Sequence, residues 1–169
     1  MKLIAPVLLS VLALLASSAK ADDTLAKFKG GIGVIPVSSG VGTDPTATDV
    51  NRNIVRGVPP PGQIWTIADL DATVKTDGSI RVKGRGLLLA GGNNIGFTAN
   101  LFVFATLLCG TTPHSTDLSG VPLAANGDFE IVELLTTVPP TDCASPVLLI
   151  RNTAGNPQPW FAAGIPDLK

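Results

Sequence analysis

Tyrosine is missing from this chain, aromatic residues make up only 5% of it, and histidine occurs once. A sugar-stacking platform is therefore poorly supplied. The two tryptophans, Trp65 and Trp160, abut strand-like runs and read as core plugs. The single imidazole, His114, makes a thin metal site even with Asp117 nearby, because zinc asks for three or four ligands. Polybasic runs are also lacking, which removes the electrostatic footprint of a nucleic-acid binder. Beyond residue 16 no apolar run is long enough to span a bilayer as a helix. Glutamate occurs twice, against 18 glycines and 14 prolines, a balance that suits strands and turns better than helices.

The chain opens with Met1-Lys2, an apolar run from Leu3 to Ala16, and Ser17-Ser18-Ala19-Lys20-Ala21. A basic start, a short hydrophobic segment and an Ala-x-Ala site make a Sec-type secretory signal of bacterial style. Cleavage is expected after Ala21, leaving 169 − 21 = 148 residues. All 13 acids survive, and Lys2 and Lys20 are lost from the 12 bases, so the mature charge is 10 − 13 = −3. The expected location is secreted or periplasmic, with no stable membrane insertion after cleavage and no nucleic-acid partner. Any partner belongs outside the cell or in the envelope.

Two cysteines remain, Cys109 and Cys143. In an oxidising compartment such a pair reads as a disulfide. Closing a loop of about 35 residues, it contributes roughly 3–4 kcal/mol on the chain-entropy model.

Residues 64–109 organise the rest. From Ala68 to Lys75, apolar and polar residues alternate, as they do again from Ser79 to Arg85, with Thr76-Asp77-Gly78 between them. A three-residue loop sets Val74 against Ile80, Ala72 against Val82 and Leu70 against Gly84. The other face then sets Thr73 against Arg81, Asp71 against Lys83 and Asp69 against Arg85. A two-residue loop would place Lys75 against Ile80, so the first register is expected.

A strand is expected from about Phe97 to Cys109, apolar on both faces from Leu101 onward. Asp22 to Lys29 is read as a short helix or a disordered lead. Gly30 to Val37 is a Gly-rich first strand; it lacks the third glycine of a dinucleotide fingerprint, and Pro36 denies the helix that should follow. Ser38 to Asn53 reads as a mobile connection. Asn53 to Val58 is a short strand candidate, and Pro59-Pro60-Pro61-Gly62 a rigid turn. Gly110 to Gly120 reads as a loop, and Asn126-Gly127 as a hairpin turn between strands at 121–125 and 128–135. Strands at 146–151 and 160–165 complete the pattern.

Eight or nine short strands argue for one all-β domain over residues 22–169. Residues 22–53 form the first strand and the connection, and 54–169 the body. The expected fold is an antiparallel β-sandwich, Ig-like or similar, with a small β-barrel as the alternative.

Three residues are weighed for chemistry. Asp69 and Asp71 lie roughly 7 Å apart along one strand face, a spacing at which carboxylates hydrolyse glycosides. Each faces a cation, however, which favours ionisation over the protonated acid such work needs. A solvated charge ladder is the expected role. His114 is read as an exposed loop residue, because neighbouring Ser115 offers poor triad geometry and no nucleophile elbow occurs. Asp44, Asp49, Asn51 and Asn53 lack the spacing of a calcium loop. No catalytic residue, metal ligand or cofactor site is expected, only the disulfide.

Ile54-Val55-Arg56-Gly57, Arg85-Gly86-Leu87-Leu88-Leu89, Gly92-Asn93-Asn94 and Trp160-Phe161-Ala162-Ala163 resemble a group of small secreted bacterial all-β proteins with no assigned activity. That resemblance spans the larger part of the mature chain. It implies the fold and export, and no function.

The leading expectation is a non-catalytic binding or structural protein. The alternatives are a hydrolase using Asp69 and Asp71, or a ligand-carrying barrel.

Overall fold

The structure, a computed structural model, describes residues 23–41 and 49–168. The expected signal segment and Asp44 lie outside the described residues. Thirteen strands occur among these residues, and no helix. They are β1 (Thr24–Gly33), β2 (Val37–Val41), β3 (Asp49–Arg52), β4 (Trp65–Thr66), β5 (Asp69–Lys75), β6 (Ser79–Arg85) and β7 (Leu88–Leu89). There follow β8 (Phe102–Cys109), β9 (Thr112–Ser115), β10 (Val121–Pro122), β11 (Phe129–Leu134), β12 (Val147–Asn152) and β13 (Trp160–Pro166).

Nine strands form one antiparallel sheet in the order β10-β8-β12-β13-β1-β5-β6-β11, with β9 also on β8. Strands β2 and β3 pair separately, as do β4 and β7. The main sheet curls into a half-barrel. Its two ends are bridged where the Thr136 N–H donates to the Ser115 carbonyl at 2.8 Å and the Asp117 N–H to the Glu133 carboxylate at 2.9 Å. The all-β class is as the sequence predicts, and the curl brings it nearer the barrel form.

The hairpin β5–β6 has the expected register throughout, from Asp69 opposite Arg85 to Val74 opposite Ile80. Its apolar face continues into both neighbours. Phe28, Ala72, Val82 and Ile131 form one row across β1, β5, β6 and β11, each no more than 2% exposed. One residue over, the solvent side carries Lys29, Asp71, Lys83 and Glu130 in a row of alternating charge. Opposite charges directly across antiparallel strands attract modestly, and the alternation keeps like charges apart.

Gly84 sits opposite Leu70 and Phe129 for a steric reason. A Cβ there would lie 2.1 Å from the Phe129 ring, so the ring packs flat on the strand only because the side chain is absent. Strands β8, β12 and β13 are buried on both faces, which explains their continuous apolar runs.

Several expectations are corrected. Asp23 to Lys29 is neither helix nor lead; β1 begins at Thr24, with Ala26 and Phe28 facing the core. The connection at 38–53 is partly ordered, because β2 and β3 pair. Asn53 to Val58 is a tight turn, closed by reciprocal Val55–Val58 hydrogen bonds and made possible by positive φ at Arg56 and Gly57. The strand expected from Phe97 starts only at Phe102, since Ala99 and Asn100 adopt left-handed backbone. The Asn126-Gly127 turn forms, with Gly127 at φ 81°, but its flanks do not pair as a ladder. Strand β10 pairs β8 and β11 pairs β6, and Pro122 has no N–H to extend a ladder. The segment 110–120, expected as a loop, contains β9.

Candidate functional site

The disulfide Cys109–Cys143 is formed, with Cα atoms 4.9 Å apart. It joins the end of β8 to the approach to β12. The Arg56 guanidinium closes the same corner, donating to the carbonyls of Leu108 (3.1 Å), Gly110 (2.8 Å) and Ser145 (2.7 Å).

Asp69 and Asp71 stand on the solvent face of β5. Asp69 pairs with Arg85 at 2.5 Å, and the hydrogen bond from that guanidinium holds its carboxyl below the usual carboxylate range. A general acid needs the opposite shift. Asp71 lies between Lys29 and Lys83, in the open. Asp71 lines a hollow of about 140 Å³ shared with Thr73 and the cations Arg81 and Lys83.

His114 corrects the reading of an exposed loop residue. It lies on β9 opposite Leu107, faces inward and is 5% exposed. Its Nδ1 hydrogen-bonds with the carbonyl and Oγ1 of Thr137 at 3.1 and 2.9 Å. Ser115 points to the other face and bonds Thr106 Oγ1 at 2.9 Å, and the Asp117 carboxylate accepts the Ser119 N–H at 2.7 Å. Strand alternation therefore separates the residues of the would-be triad. Among the described residues, no three His, Cys, Asp or Glu side chains gather to hold a metal. None of the helix-type membrane spans is present either, no helix of the described residues being long and apolar enough to cross.

A different feature emerges where β1 ends, β12 ends, β13 begins and the chain enters β8. An open cleft of about 670 Å³ lies there. Pro59-Pro60-Pro61-Gly62 lines it, as does the 154–159 loop with Pro157 and Pro159. Trp65, Phe161, Leu89 and Leu101 complete the apolar lining. Trp65 stacks on Phe161, with ring centroids 4.1 Å apart and planes at 12°.

Backbone hydrogen bonds hold both walls. The Trp160 N–H donates to the Pro59 carbonyl at 3.0 Å, and the Trp65 N–H to Val34 at 3.1 Å. The Trp160 indole N–H reaches the Asn53 carbonyl at 3.0 Å. On the other side the Asn152 N–H donates to Pro159 at 2.9 Å, and Arg151 to the Gln158 carbonyl at 2.8 Å. Gly33 lets the Trp65 segment lie against β1, since a Cβ there would come 2.2 Å from the Trp65 carbonyl oxygen. Prolines with fixed φ add rigidity, so the cleft is largely formed before any ligand arrives.

Sequence reasoning did not find this cleft. It read Pro59 to Gly62 as a turn and Trp65 as a core plug. Trp65 is 4% exposed and does plug, while also lining the cleft. The usable signal was the recurrence of proline beside aromatic residues at 59–65 and 157–161.

No family model, curated protein or solved structure matches the chain.

Proposed function

We propose that this is an exported, non-catalytic binding protein whose ligand occupies the proline-walled cleft. The observation that carries this reading is the cleft itself: concave, apolar, braced on both sides, and within the size range of small-ligand sites. The concave face of the sheet is filled by Phe28, Leu70, Val82, Ile131, Leu148 and Ile150, so the ligand sits at the end of the sheet rather than inside it. The hydrolase reading loses its support because Arg85 holds Asp69 ionised and Asp71 shares its hollow with the cations Arg81 and Lys83. Export rests on the signal pattern at residues 1–21 and is supported by the disulfide, which persists in oxidising compartments.

Two measurements test the proposal. Protein recovered from the periplasm or medium is expected to begin at Asp22; an N-terminus at Met1 would remove the export half. For the cleft, the neutral dye N-phenyl-1-naphthylamine should bind with a rise in fluorescence and accept energy from Trp65. Ala154 is exposed at the cleft wall, so Ala154→Trp should fill the mouth without disturbing the core. A loss of at least about tenfold in dye affinity is expected, the effect of removing one large apolar contact. Equal binding by the two proteins would show that the dye goes elsewhere.

A further inference from the structure

Resting on the cleft as the binding site, we propose that its ligand is an amphipathic monoanion: an apolar body with one carboxylate, sulfonate or similar group held by Arg52. Among the residues lining the cleft, Arg52 is the sole charged one, and no carboxylate lines it. The guanidinium is placed at the wall by Nη2, which lies 3.4 Å from the Pro60 carbonyl. That contact spends one of five N–H donors. Arg52 is otherwise exposed, so a ligand in the cleft can approach its remaining donors.

The other polar groups point the same way. Asn152 is 8% exposed and lines the cleft, and its Oδ1 accepts the Ala154 N–H at 3.2 Å. Gln63 also lines the cleft, with its amide lying over Gly91 and Gly92. One cation beside apolar walls, with no acid in the lining, discriminates by charge. An anion gains a charge-assisted hydrogen bond in a partly dehydrated setting. A neutral ligand of the same shape covers the guanidinium and offers it nothing. A cationic ligand meets repulsion from Arg52 and finds no acid.

A matched pair of dyes tests this. 8-Anilinonaphthalene-1-sulfonate is N-phenyl-1-naphthylamine with one sulfonate added. The full-length exported protein is expected to bind the sulfonate dye at least about tenfold more tightly than the neutral one, in the range of a charge-assisted hydrogen bond. That preference should shrink as salt rises, because Arg52 is near solvent. Arg52→Gln should bring the two affinities within about twofold, and Arg52→Lys should keep most of the preference. Thermal midpoints of the variants show that they are folded. Equal affinities in the wild type, or a preference that survives Arg52→Gln, overturns the proposal while the cleft reading stands. A wild-type protein that binds neither dye overturns the cleft reading and the proposal with it.

Discussion

Val82→Asp is expected to leave the chain unfolded at room temperature. Val82 is fully buried in the row that joins Phe28, Ala72 and Ile131 across four strands. An aspartate there has no cation within the core to face, and burying an unpaired carboxylate costs more than about 4 kcal/mol. That is a large share of the roughly 5–15 kcal/mol by which a domain is stable. Asp71→Asn, in the same hairpin but on its solvent side, should cost less than about 1 kcal/mol. Urea titration followed by tryptophan fluorescence measures both. A tolerated Val82→Asp would mean that the hairpin register is reversed, and with it every face assignment in β5 and β6.

The second large effect concerns the covalent link. Cys109→Ala with Cys143→Ala should destabilise the chain by about 3–4 kcal/mol, mostly by freeing the unfolded state across the 34-residue separation. The Arg56 contacts with Leu108, Gly110 and Ser145 remain in that variant and hold the corner non-covalently. The folded structure should therefore persist, with a lower urea midpoint and a slope no shallower than the wild type's, because the uncrosslinked unfolded chain exposes more surface. Thiol titration of the denatured, unreduced wild type should find no free thiols. Two titratable thiols, or an unchanged midpoint on reduction, would contradict the bond.

The part of the fold legible in the sequence is its local part. The β5–β6 register follows from two faces agreeing around one short loop, and needs nothing from the rest of the chain. Strands β12 and β13 announce themselves as apolar runs because they are covered on both sides. Where partners are distant, the reading falters. Asn126-Gly127 predicts a turn correctly, yet Val121 and Phe129 take partners from β8 and β6. His114 reads as a loop residue because Thr112-Pro113-His114-Ser115 is polar, and only pairing with β8 turns the imidazole inward. The cleft is the extreme case. Arg52, Pro60, Trp65, Leu101 and Pro157 come from separate segments, and only the recurrence of proline beside aromatic residues at 59–65 and 157–161 hints at their meeting.

The pairing of β1 with β13 fixes when this molecule can be completed. Phe28 lies opposite Pro166 and Gly33 opposite Ala162, so the earliest strand waits for the latest. Until β13 has left the ribosome, β1 and β12 each lack a neighbour in the middle of the sheet, and the half-made core has open edges on both sides. Such long-range closure is slow compared with hairpin formation. A nascent chain of this design therefore keeps its sheet open in the middle throughout synthesis, and gains its final form only when its last strand is free to insert between β1 and β12.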